Sequence, residues 1–334
     1  MGTADTLAHV SHDRTRDVRH HADPAEDAPI RDERPDDRPL AFLLGAPTAS
    51  GKSAVALRLA ERYGFEIVSA DAMQVYRGLD IGTAKPSAED RARVPHHAID
   101  LADPNEPFSV AAWVRAAEAA IHDAHARGRS CLVVGGSGFY LHALAEGLPT
   151  TPAADPAAQE PYWEAIRAHG LDPLLERLRN AAPLDAERAE RNPRRIVRML
   201  EVLDRTGWPP STFPPRAPRV AVDRTWLLPP LDLLDARIAE RARAMLDGGL
   251  IEEAGALAGT ALATARQAIG YAEAAQVARG ETDRDEALRR IVVATRRYAR
   301  RQRTWFRKHP AERRIEALAT DAESSLAAWL ERAA

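Results

Sequence analysis

The run Ala46-Pro47-Thr48-Ala49-Ser50-Gly51-Lys52-Ser53 stands between a short apolar stretch and an amphipathic one, and its spacing is that of a polyphosphate-binding loop. Consecutive backbone N–H groups at the start of a helix gather negative charge. Lys52 adds a mobile point charge for the outer phosphates. The Ser53 hydroxyl can ligate a Mg²⁺ ion that shares its other positions with phosphate oxygens and water. Ala46 occupies a place where glycine is usual, so the backbone there must stay in a region that a Cβ tolerates.

A phosphate loop does not say what becomes of the phosphates. An ATPase usually carries an aspartate at the end of a later apolar strand, to hold Mg²⁺. Here Leu132-Val133-Val134 runs into Gly135-Gly136-Ser137, with no acid. The acid at a core strand's end is Asp71, on the strand after the loop's helix. In many small-molecule kinases an acid in that place meets the acceptor; the plainer alternative is a turn aspartate. Between Arg289 and Lys308 lie nine Lys or Arg and no acid, interleaved with Tyr298, Trp305 and Phe306. A charge run can be a solvated face, but one without counter-charge favours a polyanion partner. Arg194, Arg195 and Arg198 add a second basic stripe at near-helical spacing.

These residues need a frame. Leu40–Leu44, Phe65–Ser69 and Ser130–Val134 read as buried strands, with helices over 51–63 and 109–127 between them. Such alternation predicts an α/β fold with a parallel sheet. Residues 150–161, rich in Pro, Ala and Thr, read as a hinge or linker. Helices are expected at 162–181 and 184–206, a proline-rich break at 208–218, and one strand at 225–228. Further helices fill 231–247, 249–258 and 283–308. The expected organisation is an acidic tail (1–38), the first part of a phosphate-loop core (39–150), a helical insertion (151–218), and a completion of the core with a helical, basic C-terminal region (219–334).

At 334 residues, with 45% apolar and 28% charged residues, the chain can bury a sizeable core unaided. It holds no apolar run of 18 residues, which excludes a membrane-spanning helix, and its first residues lack the apolar region of a secretory signal. The lone Cys131 excludes an internal disulfide. The cytoplasm is the expected address. Residues 1–38 hold ten acids against six arginines, a net of −4, so the overall −3 leaves +1 for the remainder. With four histidines and no aromatic residue, that segment reads as a disordered tail.

The phosphate loop, the stretch from Ser69-Ala70-Asp71-Ala72-Met73-Gln74 to Thr83-Ala84-Lys85-Pro86, and Pro95-His96-His97 together resemble the tRNA dimethylallyltransferase family. So do Val134-Gly135-Gly136-Ser137-Gly138-Phe139-Tyr140, Arg266-Gln267-Ala268-Ile269-Gly270-Tyr271, and the block from Ala294 to Phe306. The resemblance spans about residues 40–310 in order. It implies a P-loop NTPase-like core and transfer of a dimethylallyl group from its diphosphate to the exocyclic amine of the adenosine 3′-adjacent to the anticodon. It further implies that residues 46–53 hold the diphosphate, that Asp71 accepts the proton, and that Ser137 and Lys52 assist. Mg²⁺ at Ser53 is the implied cofactor. The tRNA anticodon stem-loop would meet Asp71, Ala72, Met73, Gln74, Ser137, Gln159, Arg194, Arg195, Ile196, Val197, Arg198, Arg266, Gln267, Ala268, Ile269, Gly270 and Tyr271. A monomer without membrane attachment is expected. The sequence departs from the family at Ala46, at Ser137 (usually Thr), at Ala72 (commonly Ser), and at Gln159, where some relatives have Arg. A small-molecule kinase using the same loop and Asp71 is the rival reading. An RNA-binding switch that senses nucleotide without chemistry is another.

Overall fold

The computed structural model describes residues 38–257 and 267–331, so the acidic tail (save Arg38) and Arg266 lie outside the described residues. The chain runs β1 (Leu40–Gly45), α1 (Lys52–Tyr63), β2 (Glu66–Ala70), α2 (Ala88–Arg93), β3 (His96–His97), α3 (Val110–Ala126), β4 (Cys131–Gly135) and α4 (Gly138–Glu146). Four helices follow: α5 (Pro156–His169), α6 (Asp172–Ala181), α7 (Pro183–Ala189) and α8 (Pro193–Thr206). The chain then returns through β5 (Ala221–Leu227), α9 (Leu231–Asp247), α10 (Leu250–Ala256), α11 (Tyr271–Ala278), α12 (Arg284–Lys308), β6 (Arg313–Ile315) and α13 (Glu323–Leu330).

The strands form one six-stranded sheet in the order β3-β2-β4-β1-β5-β6, and every pairing is parallel. A parallel sheet is covered on both faces, which is why β1 and β4 are continuous apolar runs rather than alternating ones, while β2 buries Glu66 and Ser69 beside its apolar residues. Ala41, Leu43, Val68 and Val133 point to one face, with Trp113, Trp226 and Phe306. Phe42, Leu44, Ile67 and Leu132 point to the other, with Val55 and Leu59 of α1 and Trp329 of α13. The expected α/β, P-loop NTPase-like core is present. Residues 313–315 add a strand that a pair of arginines and one isoleucine had given no reason to expect.

The helical segment differs in detail from the expectation. Part of the supposed linker 150–161 is helix: Asp155 accepts from the N–H groups of Ala157 and Ala158, and Pro156 takes the first helical position. Gly170, at φ 77°, ends α5, and Asn192 caps α8, so two expected long helices become four short ones. Leu174, Leu175, Leu178, Ile196 and Leu200 give this segment a core of its own. Its entry and exit strands are tied to each other, with Thr150 N–H donating to Pro214 O at 3.0 Å and Arg216 N–H to Leu148 O at 2.8 Å.

Candidate active site

The strand order sets β1 beside β4, and the connections from their carboxyl ends run in opposite directions, from β1 toward β2 and from β4 toward β5, which opens a crevice there. Three segments meet at that edge: the phosphate loop after β1, Asp71 after β2, and Gly136-Ser137 after β4.

Gly51 caps α1 at φ 83° with no side chain to offer, and apart from Lys52 N–H, which reaches Ser50 Oγ at 3.4 Å, the first N–H groups of the helix remain available to an anion. The strained position of the loop is Ala49, at φ 64°. Ala46 is fully buried and has no positive φ, which explains why a Cβ is tolerated there. Thr48, Lys52 and Ser53 line a cavity of 280 Å³ together with Asp71 and Gln74. A second cavity of 520 Å³ also reaches Lys52 and Ser53, from the side of Ala49, Gly51 and Arg237. Arg241 of α9 lines both cavities and donates to Thr48 Oγ1 at 2.9 Å. Burial and the Arg241 charge push the Lys52 ammonium down to about 8, against the pull of Asp71. Burial likewise lowers Arg241, again against Asp71. Two cations crowded without a matched carboxylate make a site that gains by taking up an anion.

Asp71 Oδ1 accepts from Met73 N–H at 2.8 Å, which fixes the carboxylate at the cavity wall. Ser137 Oγ accepts from Ala72 N–H at 3.0 Å, and the Tyr298 hydroxyl lies beside Ser137 and Gln302. Ser137 therefore holds the peptide after Asp71 in place. Gln302 joins the two halves of the site: Thr48 N–H donates to its Oε1 at 2.9 Å, and its Nε2 donates to Gly136 O at 2.9 Å. Gln74 Nε2 donates to Thr83 O and Ala84 O, and Ser69 Oγ bonds its Oε1.

The positions expected to meet RNA separate by burial. Gln267, Ala268 and Ile269 line the first cavity, and Gly270 caps α11 at φ 102°. Arg194 is exposed and donates to Gln267 Oε1, while Arg195 is exposed and paired with Glu190. Ile196 and Val197 are fully buried, so they seat α8 and offer no contact surface. Tyr271 is buried as well, its hydroxyl spent on Glu253. Arg198 and Gln159 are engaged by the buried carboxylate of Glu201, at 2.8 and 2.6 Å, and so serve the insertion's own packing.

Arg241, Tyr298, Arg301 and Gln302 line the site, yet the sequence did not single them out as site residues. Arg237 and Arg241 fall four apart on a long helix, a spacing that a solvated face shows equally. The basic run of α12 also proves partly neutralised by acids distant in sequence or at its own start. Asp235 faces Arg296 and Arg300 at 3.5 and 3.4 Å, and Glu286 faces Arg289 and Arg290 at 2.7 Å each. Among the described residues Arg297, Arg307 and Lys308 stay exposed without an ion pair.

Comparison with known proteins decides between the readings. A family model described as IPP transferase matches residues 74–309, and one described as isopentenyl transferase matches residues 39–95. A tRNA dimethylallyltransferase of Thermus thermophilus is 49% identical over 272 residues, covering 81% of this chain and 90% of that one. That of Deinococcus radiodurans is 47% identical over 301 residues, covering 88% and 97%. The chain belongs to the tRNA dimethylallyltransferase family.

The crystal structure of the full-length tRNA isopentenylpyrophosphate transferase from Bacillus halodurans matches at a TM-score of 0.64 and 33% identity, covering 88% of this chain and 96% of that one. A eukaryotic dimethylallyltransferase acting on tRNA shares the fold at a TM-score of 0.69 and 24% identity, covering 86% and 77%.

Proposed function

We propose that this chain transfers a dimethylallyl group from dimethylallyl diphosphate to the exocyclic amine of the adenosine 3′-adjacent to the anticodon of tRNA, releasing diphosphate. The observation that carries the reading is one cavity that presents the Lys52–Arg241 cation pair and the Asp71 carboxylate together. One supports a diphosphate leaving group and the other a proton to be removed.

The amine nitrogen attacks the allylic carbon bonded to oxygen. The new C–N bond forms as the C–O bond breaks, and that electron pair leaves with the diphosphate oxygen. The amine proton turns acidic as the bond forms and passes to Asp71. Lys52, Arg241 and the free N–H groups of α1 stabilise the negative charge that grows on the leaving oxygens. The base must be unstacked to enter the cavity, where the wall of Gln267–Ile269 keeps water from the allylic carbon. Arg194 and Arg195, exposed on α8, would meet tRNA phosphates.

Mg²⁺ fits this donor set. No cluster of three His, Cys, Asp or Glu occurs among the described residues, but Mg²⁺ takes few protein ligands and keeps phosphate oxygens and water for the rest. Ser53, on both cavities, would hold it, and the ion would supply further charge stabilisation to the departing diphosphate. One chain carries both half-sites, so a monomer suffices. No helix among the described residues is long and apolar enough to cross a membrane, in keeping with work on tRNA in the cytoplasm.

The direct test is incubation of the purified protein with tRNA, Mg²⁺ and dimethylallyl diphosphate, then mass spectrometry of the nucleosides. Prenylated adenosine is expected. Its absence, with ATP turnover that needs no tRNA, would return the kinase reading.

A further inference from the structure

Glu253 of α10 lies outside the phosphate loop and away from Asp71, yet it holds two walls of the cavity at once. Its carboxylate accepts from three consecutive backbone amides: Asp80 N–H at 3.0 Å, Ile81 N–H at 2.8 Å and Gly82 N–H at 3.1 Å. A row of this kind is an anion-binding concavity, here filled by the protein's own carboxylate. The Tyr271 hydroxyl donates to the same Oε1 that Gly82 uses.

Each partner leads to the site. Beyond Gly82, the carbonyls of Thr83 and Ala84 receive Gln74 Nε2, and Gln74 follows Asp71 by three residues. Gly82, Thr83 and Ala84 form one strip of the cavity wall. Tyr271 ends the strip Gln267-Ala268-Ile269, which forms another. The strips are pressed together: a Cβ on Gly82 would stand 2.4 Å from the Tyr271 ring and 2.9 Å from Leu250. Such contact fixes the approach of the strips, but packing alone has no directional preference. Four hydrogen bonds converging on one carboxylate supply it.

We propose that Glu253 is a positioning residue that sets the spacing of the 82–84 and 267–269 strips, and with it the slot that receives the acceptor base. The proposal rests on the prenyl-transfer reading. Donor binding depends on Lys52 and Arg241, which Glu253 does not touch, so the two substrates should respond differently.

Glu253→Gln keeps the size of the side chain but leaves one acceptor oxygen for four donors. In steady-state transfer assays the KM for tRNA should rise about 10–100-fold, the value of charged hydrogen bonds lost, with donor KM within about twofold of wild type. Tyr271→Phe should raise tRNA KM by about three- to tenfold, as one of four bonds goes. Because the hydroxyl acts through Glu253, the double variant should match Glu253→Gln alone rather than multiply the two effects. Glu253→Asp, which restores both oxygens, should recover part of the tRNA affinity. Three outcomes overturn the proposal: a loss of kcat in step with the folded fraction at unchanged KM for either substrate, a rise confined to donor KM, or multiplicative effects in the double variant. A wild-type protein that forms no prenylated adenosine would instead refute the reading on which the proposal stands.

Discussion

Raising the pH should strip the site of its grip on the donor before it affects the fold. The Lys52 ammonium sits at about 8, so from pH 7 to pH 9 its charged fraction falls from about 90% to about 10%. The charge is present below that point and lost above it, and only the charged form attracts a diphosphate. Donor affinity should therefore hold up to about pH 7.5 and then fall, approaching tenfold per pH unit. Equilibrium binding of dimethylallyl diphosphate in the absence of tRNA isolates this from any proton transfer at Asp71. Burial is the larger cause of the depression and Arg241 the second. Arg241→Gln should thus move the inflection upward, short of the ordinary lysine value, while weakening binding at every pH. Lys52→Arg should bind more weakly than wild type but lose the inflection, since a guanidinium does not titrate in this range. Wild-type affinity that stays flat to about pH 9.5, or an inflection unmoved by Arg241→Gln, would remove Lys52 from the diphosphate site.

Asp71→Asn should lower kcat by about 10²–10⁴ with both substrates still bound, checked by single-turnover rates alongside separate binding measurements. High Mg²⁺ should not rescue it, because a lost base is not a lost ligand. Gln302→Leu leaves Thr48 N–H without a partner and Gly136 O with Gly138 N–H alone, at 3.1 Å, and should cost about 1–3 kcal/mol in urea unfolding, with a raised donor KM. Gly45→Ala places a Cβ 2.4 Å from the Phe306 ring and 2.6 Å from Trp226, both fully buried; calorimetry should show about 1–3 kcal/mol of destabilisation.

The core was legible because it is local. β1, β2 and β4 are buried on both faces, so β1 and β4 are unbroken apolar runs and β2 is nearly so, and the phosphate loop declares itself between the first strand and its helix. What escaped depends on pairing in space. The strand at 313–315 exists because it extends the sheet beside β5, and its own residues show no strand pattern. The start of α5 did carry a local signal, Asp155 before Pro156, hidden in a stretch whose composition suggested a linker. Arg241 and Asp235 are alike as letters on one helix. Only the fold turns the first toward Thr48 and the second toward Arg296. Ile196 and Val197 show the converse: a motif can mark a helix that presents arginines while its middle residues are core.

The glycines after β4 fit this division. A Gly-Gly pair at a strand end invites a phosphate-cradle reading, but the structure gives each a packing reason. A Cβ at Gly135 would lie 2.0 Å from Ala70 O, the last carbonyl before Asp71. A Cβ at Gly136 would lie 2.3 Å from Gln302 Nε2, and one at Gly138 would lie 2.3 Å from Trp305. The missing side chains thus let the end of β4 close on the end of β2 while α12 presses down from above. That closeness brings Ser137 Oγ within 3.0 Å of Ala72 N–H and lets Gln302 span to Thr48. Asp71 and the phosphate loop come from different strands, and β4 lies between them in the sheet. An aspartate at the end of β4, where an ATPase holds Mg²⁺, would set a second carboxylate in that narrow gap; with glycine there, Asp71 is, on the proposed reading, the acid that faces the acceptor.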